Sequence, residues 1–306
     1  MKLFKQNIIK TAVKIIISFA LIYTILRFIG VNKVFSEIIN ADPFFVFISL
    51  LLTILLVVLK AVRWRNVVHT FNIKLGLMDS IKFTIMSLSF SIITPAKIGE
   101  FIKAKYLVDK TQSHYMRSFV TVLIDKGFDV TAMAFLALLG TSFLKEFAQW
   151  HGILIAIFFA YLGMLAIFFC FFWKALRIIF HFAPRKYKDS ISKVKFTRQF
   201  FLISILLSLG IWLVLSFQAF FILKSLAVPA SLLITISVVP LMALSSLAPF
   251  SFGGIGIREV IAISFLLALG ISPEKSTVFS LLYTFMGAGV PAIIGGFMHF
   301  FRKNLI

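Results

Sequence analysis

Two short breaks in apolar stretches bring together residue types that could bind an anion. The first is TPAKIGE, residues 94–100, and the second is PFSFGGIGIRE, residues 249–259. In each break a proline ends a helix-like stretch, glycine permits a sharp turn, and a cation and a glutamate are present. A helix that restarts near Ala96 or Lys97, or after the second break, points its free N–H groups at the break and favours a phosphate there. The residues interpreted as structural breaks are Pro95, Pro249 and Gly253.

The cations at the breaks are the predicted ligands of this anion. Lys97 supplies a full positive charge, and the Arg258 guanidinium can donate two parallel hydrogen bonds. Two structural alternatives stay open. In the first, Lys97 lies on a solvated basic face. In the second, Arg258 only pairs with Glu259. Glu100 would repel an anion, so we expect it to pair with Lys97, Lys103 or an arginine. The predicted contacts of a bound phosphate are Lys97, Gly99, Gly254, Gly256 and Arg258.

A second group of charges lies inside the apolar stretch VLIDKGFDVTAM. Asp125 and Asp129 are four residues apart and share a helix face, with Asp125 about 10 Å inside the span at 1.5 Å per residue. A charge at this depth is costly unless it is paired or faces a cavity, so this helix should line the interior. The charges form either a structural network with Arg63 or Arg65, or a site that couples to substrate or protons. The predicted members are Arg63, Glu100, Asp125, Lys126, Asp129 and Glu259.

The overall composition indicates that membrane helices position these residues. The chain has 306 residues, of which 60% are hydrophobic, and its mean hydropathy is +1.04. Soluble domains are only about half apolar. Six stretches approach the roughly 20 apolar residues that cross a hydrocarbon core about 30 Å thick. They are residues 11–29, 43–62, 118–141, 152–173, 200–224 and 276–300.

Loop charges predict the orientation of these spans. Lysine and arginine concentrate in cytoplasmic loops, so we place there the basic loop 174–199 and the charges Lys60, Arg63 and Arg65 after the second span, with Trp64 as an interfacial anchor. Both termini are then cytoplasmic, in a multi-pass protein of the cell (plasma or inner) membrane. Two further apolar stretches, 77–94 and 229–248, run into the breaks. The loop charges agree with cytoplasmic termini and six spans only if each of these two stretches enters and leaves the membrane on the same side.

The predicted fold is therefore an all-α polytopic membrane protein with about six transmembrane helices and two re-entrant helical hairpins. The two breaks resemble each other, which indicates a weak inverted repeat, although two unrelated kinks would explain the same pattern. Residues 1–306 form a single membrane-embedded domain, with one half at about 1–141 and the other at about 152–306. In the last span, Ala288, Ala292 and Gly296 have the spacing of close helix packing.

Charge and ligand patterns narrow the classes of partner. The chain has 31 Lys+Arg against 11 Asp+Glu, a net charge of +20, which loop cations beside anionic lipids explain without a nucleic-acid partner. The five histidines lack metal-ligand spacing, and a single cysteine gives no metal or disulfide framework. The string GIGIRE is not a dinucleotide loop, because no strand precedes it. We predict anionic membrane lipids as partners, and no cofactor, metal or nucleic acid.

Four sequence segments, taken together in their order and spacing along the chain, resemble one protein family. These are Arg63–Trp64, TPAKIGEFIKAKYL, IDKGFDV and PFSFGGIGIRE. Along essentially its whole length, the chain resembles flippase-like membrane proteins related to the transmembrane region of lysylphosphatidylglycerol synthetase. Lys97 and Lys126 stand where arginine is more usual, and Asp125 where glutamate is more usual. Lysine lacks the planar fork of arginine for bidentate phosphate binding.

The resemblance implies that the chain translocates or handles an anionic lipid, either a phospholipid or a polyprenyl-linked lipid. The soluble aminoacyl-transfer domain of full-length synthetases is not expected here, so the chain should not make aminoacylated lipid by itself. Two alternatives to a flippase stay open. One is an intramembrane lipid-linked transferase with Asp125 or Glu259 as its base. The other is a non-catalytic partner of a lipid-modifying or glycan-modifying enzyme.

Overall fold

The computed structural model describes residues 29–142, 196–245 and 256–301, with a few isolated positions besides. All regular structure in these ranges is helical. Most of the predicted spans 11–29 and 152–173, and of the basic loop 174–199, lies outside the described residues. A 3₁₀ helix occupies Pro95–Phe101, and a π-helical turn occupies Phe285–Gly289. The α-helices are α1 Val31–Ile39, α2 Pro43–Thr70, α3 Leu77–Ile92, α4 Ile102–Thr111, α5 Tyr115–Ser142, α6 Arg198–Ser225, α7 Leu232–Ser245, α8 Ile257–Ala268, α9 Pro273–Thr284 and α10 Val290–Phe300.

Three described helical stretches are long and apolar enough to cross a membrane. They are α2, α6 and the continuous stretch Pro273–Phe300, which contains α9, the π turn and α10. Large apolar side chains on these helices point outward, for example Ile54 at 62% and Leu206 at 66% exposure. Such faces suit hydrocarbon rather than water. The chain is therefore an all-helical membrane protein.

The long helices begin at side-chain caps that the sequence provides. The Asp42 carboxylate accepts a hydrogen bond from the Phe44 N–H at 2.8 Å, and Pro43 occupies the first turn of α2. The Thr197 hydroxyl accepts a hydrogen bond from the Phe200 N–H at 3.1 Å at the start of α6. Each cap satisfies one of the N–H groups that the first helical turn leaves without a backbone partner. These caps fix where both helices start.

Helix α2 is longer than the sequence predicts. The predicted span ends at residue 62, whereas α2 continues to Thr70. Arg63 is only 2% exposed and Trp64 is fully buried, so neither lies in a loop. The Trp64 indole Nε1 donates a hydrogen bond to Thr121 Oγ1 at 3.2 Å. The prediction of loop charges at Lys60, Arg63 and Arg65, and of an interfacial anchor at Trp64, is therefore wrong, because all four lie within α2.

Helices α2 and α6 correspond to each other in length, spacing and packing. Both have 28 residues, and α6 begins 155 residues after α2, at 198 against 43. Ser49 Oγ donates to the Gln218 carbonyl at 3.4 Å near the start of α2. Asn66 Nδ2 donates to Ser204 Oγ at 3.3 Å near its end. The two helices therefore pack antiparallel.

Hydrogen bonds across this pair follow the same spacing. The Arg63 Nη1 donates to Ser208 Oγ at 3.0 Å, and the Gln218 Nε2 donates to Thr53 Oγ1 at 2.7 Å. Gln218 is 155 residues after Arg63, and Ser208 is 155 residues after Thr53. A pseudo-two-fold rotation that superposes α2 on α6 would therefore place each of these two hydrogen bonds on the other. Such a rotation inverts one helix relative to the other.

The helix before each break packs against a helix that is distant in the sequence. Helix α3 packs on α10, and α7 packs on α5. A Cβ atom at Gly295 would lie 2.8 Å from the Ile85 carbonyl carbon, and one at Gly140 would lie 2.8 Å from Ser237 Cα. Both contacts are too close for any side chain. The residue that packs closely in α10 is Gly295, whereas Gly296 of the predicted small-residue stripe faces open space.

The first break folds back on the end of α3. The Thr94 hydroxyl donates to the Phe90 carbonyl at 2.8 Å and accepts from the Gly99 N–H at 2.7 Å. A Cβ at Gly99 would overlap the Phe90 carbonyl group. Glycine is therefore required here because backbone packs directly on backbone. The α-helix restarts at Ile102 rather than near Ala96 or Lys97, because the 3₁₀ turn intervenes.

Candidate functional site

An interior cavity of about 100 Å³ lies among α2, α3, α5, α6, α7, α8 and α9. A single water needs roughly 10–15 Å³ by this measure, so the cavity has room for several waters or a small polar group. Trp212 of α6 and Tyr283 of α9 contribute aromatic walls. The charged side chains that line it are Lys60, Lys97, Glu100, Lys126, Asp129 and Arg258.

The lining of this cavity contains pairs of residues at two repeated spacings. Two pairs of lining residues are separated by 155 residues, the spacing between the first residues of α2 and α6. Two others are separated by 158 residues, the spacing between the first residues of α5 and α9. The same face of each of these helices therefore contributes to the cavity. The pairs are Lys60 with Leu215, Leu88 with Ala243, Asp129 with Gly287, and Val130 with Ala288.

A buried ion-pair network stands beside the cavity. The Arg63 guanidinium donates to Asp125 Oδ1 at 2.8 Å and to Asp129 Oδ1 at 3.0 Å. Lys103 Nζ donates to the second Asp125 oxygen at 3.2 Å. Asp125 and Lys103 are each 2% exposed. Of the two predicted partners for the aspartates, the structure selects Arg63, whereas Arg65 donates to the Leu75 carbonyl.

Two more contacts complete the paired set of charges. Lys103 Nζ lies 5.0 Å from the centre of the Trp64 ring, over its face. Glu100 forms an ion pair with Lys126, and not with the Lys97 or Lys103 expected from the sequence. Lys126 lies on α5, so this pair ties the first break to that helix. Glu100 therefore holds a cation in place and does not face a ligand alone.

At the second break, a carboxylate occupies the start of α8. Glu259 Oε2 accepts a hydrogen bond from the Gly256 N–H at 2.6 Å, and its Oε1 accepts one from Thr284 Oγ1 at 2.7 Å. Both carboxylate oxygens are thus engaged. Gly256, predicted to contact a phosphate, therefore donates its N–H within the protein. Gly99 likewise donates its N–H to Thr94, so neither predicted glycine presents a free donor.

Arg258 is buried without a hydrogen-bonded acceptor. It is 6% exposed, and its Nε and Nη2 have no hydrogen-bond acceptor among the described residues. Arg258 Nε forms the expected ion pair with Glu259 Oε1, but at 3.6 Å the contact is too long for a hydrogen bond. A buried donor without an acceptor costs about 1–3 kcal/mol, and more when it is charged. Arg258 therefore favours a bound anion in the cavity.

Lys60 and Lys97 are half-buried and also lack an acceptor in the part of the chain that the structure describes. Both line the cavity, and within the described ranges neither forms an ion pair. Together with Arg258, whose ion pair with Glu259 is too long for a hydrogen bond, they form a set that we call the unpaired cations. The described interior holds six cations against four carboxylates, a surplus of two positive charges. The cations are Lys60, Arg63, Lys97, Lys103, Lys126 and Arg258, and the carboxylates are Glu100, Asp125, Asp129 and Glu259.

Comparison with known proteins agrees with this architecture. The family described as "Lysylphosphatidylglycerol synthase TM region" matches residues 11–295. The chain belongs to this family. The chain is also similar to UPF0104 membrane proteins of Methanothermobacter thermautotrophicus and Pyrococcus horikoshii. They are 23% and 24% identical to this chain over 87% and 95% of its length, and over 88% and 97% of theirs.

A shorter match covers less than half of the chain. A UPF0104 membrane protein of Methanocaldococcus jannaschii is 28% identical over 136 residues, which is 44% of this chain and 40% of that protein. The names of these relatives describe membrane proteins and state no substrate. The nature of the ligand must therefore be inferred from the cavity itself.

Sequence reasoning identified some residues of this cavity and missed others. It predicted Lys97 and Arg258, and the structure brings both to one cavity. It missed Lys60, which it assigned to a loop. The signal was present, because Lys60 precedes Arg63 by three residues and such residues share a helix face. Pro249, Gly253 and Gly254 lie outside the described residues.

Proposed function

We propose that the chain translocates an anionic lipid by passing its phosphate head group through the interior cavity while the lipid tails stay in hydrocarbon. The observation that carries this proposal is the set of unpaired cations, Lys60, Lys97 and Arg258, on one buried cavity. Buried charges are normally paired or functional. A phosphodiester or phosphomonoester supplies the missing negative charge, and the Arg258 fork suits two of its oxygens.

The proposed topology has six membrane-spanning helices and two re-entrant hairpins. Helix α3 has 16 residues and α7 has 14, about 24 and 21 Å at 1.5 Å per residue, which is shorter than a hydrocarbon core. Each is followed by a break and by a further helix. Antiparallel packing of α2 and α6 supports two halves of inverted orientation. We propose the cell membrane as the location, with both termini cytoplasmic.

This topology would place the cavity near the middle of the membrane. Sites on the axis between inverted repeats are accessible from either side when one repeat moves against the other. The π turn at Phe285–Gly289 lines the cavity through Gly287, and π turns often mark functional positions in helices. The paired network around Arg63 would hold α2, α5 and α6 together during such a movement.

A leaflet-exchange assay tests the proposal. Purified protein is reconstituted in phosphatidylcholine vesicles that contain head-group-labelled phosphatidylglycerol, and a membrane-impermeant quencher reports the outer leaflet over time. We expect Arg258→Gln and Lys97→Gln each to slow exchange about tenfold or more, as loss of one charged phosphate contact implies. Lys105→Gln is the matched control, since Lys105 is exposed on the adjacent helix α4. Exchange by wild-type protein no faster than in empty vesicles overturns the proposal.

A further inference from the structure

An apolar groove of about 460 Å³ runs along the outside of the same helices that wall the cavity. It lies between the end of α3 and the stretch that contains the π turn and α10. Its accessible lining is almost entirely carbon. Ile93, Phe285 and Ile293 are each 54% exposed in it. The groove therefore opens toward the hydrocarbon of the bilayer.

The wall between groove and cavity is thin and made largely of small residues. In the π turn, Phe285 and Gly289 face the groove, whereas Gly287 and Ala288 line the cavity. The end of α3 is divided in the same way, and Ser91 lines the cavity while its neighbour Ile92 lines the groove. One layer of backbone therefore separates a cationic site from an apolar surface.

A local feature of the helix accounts for this thin wall. Pro291 has no N–H to donate, so it cannot close the regular hydrogen bond to the Gly287 carbonyl four residues earlier. The adjoining residues form the π turn, and Thr53 Oγ1 donates to the Met286 carbonyl at 3.3 Å. The wall segment is thus built from an irregular turn of small residues, fixed from α2.

We infer that the groove binds one aliphatic chain of the lipid whose phosphate binds the unpaired cations. The inference rests on the proposed function for the identity of the head group. A molecule with an anionic head and an apolar chain complements both surfaces, because the positive charge lies on one side of the wall and the apolar groove on the other. An aliphatic chain makes dispersion contacts with a fitted groove just as it does with the surrounding lipid, and these contacts favour its binding in the groove. The groove then selects for lipids over free phosphate.

Gly296 offers a way to block the groove without disturbing the core. It lines the groove, and an added Cβ there would meet no atom within 4 Å. Gly296→Phe should therefore fit the fold while filling the groove. Gly210 on α6 is the matched control, because it also has open space around its Cβ position and lies outside the groove. Gly210→Phe adds the same side chain to another membrane helix.

Photo-crosslinking in vesicles tests this assignment. The probe is phosphatidylglycerol with a diazirine in one acyl chain, present in the bilayer with the reconstituted protein, and adducts are mapped by mass spectrometry. We expect adducts to concentrate on residues 89–93 and 285–296. Gly296→Phe should reduce them about tenfold, the effect of losing one well-fitted contact surface, whereas Gly210→Phe should leave them unchanged. A phosphatidylcholine probe with the same chain should give fewer adducts at these residues.

The outcomes separate the groove from the transport activity. Adducts spread evenly over the lipid-facing helices, or unchanged in Gly296→Phe, overturn the groove assignment even when wild-type protein exchanges lipid between leaflets. Concentrated adducts that Gly296→Phe removes support the groove even when no exchange is measured, and in that case the translocation proposal alone fails. Equal labelling by both head groups overturns the link between the groove and the cationic cavity.

Discussion

Two sets of interior cations differ in how their charge is balanced. Arg63, Lys103 and Lys126 each contact a carboxylate within hydrogen-bonding distance. Within the described residues, Lys60 and Lys97 form no ion pair, and Arg258 forms only the 3.6 Å ion pair with Glu259, with no hydrogen bond from its Nε or Nη2. Exposure does not separate the two sets, because Arg258 of the second set is buried whereas Lys126 of the first is half-buried. Burial alone therefore does not explain the difference.

The difference indicates two roles for intramembrane charge. A paired cation recovers part of its desolvation cost within the protein, so its removal leaves an uncompensated carboxylate. An unpaired cation recovers that cost only when an anion enters the cavity. The first set should therefore determine stability, and the second should determine binding. Substitutions that move a residue from one set to the other test this division.

The largest effect on stability is expected for Arg63→Ala. This change leaves Asp125 and Asp129 without their guanidinium, and removal of one member of a buried ion pair typically costs about 3–5 kcal/mol of unfolding free energy. The expected result is a marked drop in the thermal midpoint of the purified protein in detergent. Arg65→Ala, which removes a hydrogen bond to a carbonyl, is the control and should lower the midpoint much less. Equal midpoints for the two variants would contradict a structural role of the network.

A smaller effect is expected for Glu100→Gln, which converts Lys126 from a paired to an unpaired cation. A hydrogen bond to a charged group contributes about 1.5–3 kcal/mol, so the variant should be less stable than wild type by an amount in this range. The order of preference among anionic lipids should stay the same in the exchange assay. A change of lipid preference at unchanged stability would instead place Glu100 in direct contact with the head group.

The sequence predicts the helices better than it predicts their partners. Apolar length identifies α2, α5, α6 and the last span, because hydropathy depends on composition alone. The hydropathy ends α2 too early, because charged residues such as Lys60 and Arg63 are typical of a loop. Only the structure shows that Arg63 contacts carboxylates and that Lys60 faces a cavity. The pairing of Glu100 with Lys126 depends on the packing of the break against α5. No spacing along the chain encodes that contact.

The proposed inverted repeat is also only partly visible in the sequence. The breaks resemble each other, but the residues that the helix spacings would pair differ, with Leu215 opposite Lys60 and Gly287 opposite Asp129. Equal helix lengths and reciprocal hydrogen bonds reveal the correspondence in the structure. In the last span, the sequence predicts close helix packing at Gly296, whereas the residue that packs closely is its neighbour Gly295. A step of one residue turns a side chain by about 100° on a helix, so the two face different neighbours.

The most direct test of the central claim is the thermal midpoint of the detergent-solubilised protein with and without added phosphatidylglycerol. Wild type should be stabilised by phosphatidylglycerol more than by phosphatidylcholine, by about 2.7 kcal/mol when the lipid is at 100 times its dissociation constant. The triple variant Lys60→Gln, Lys97→Gln, Arg258→Gln should be at least as stable without lipid and should not respond to phosphatidylglycerol. An equal response in the wild type and the triple variant would contradict the claim that the unpaired cations bind the phosphate.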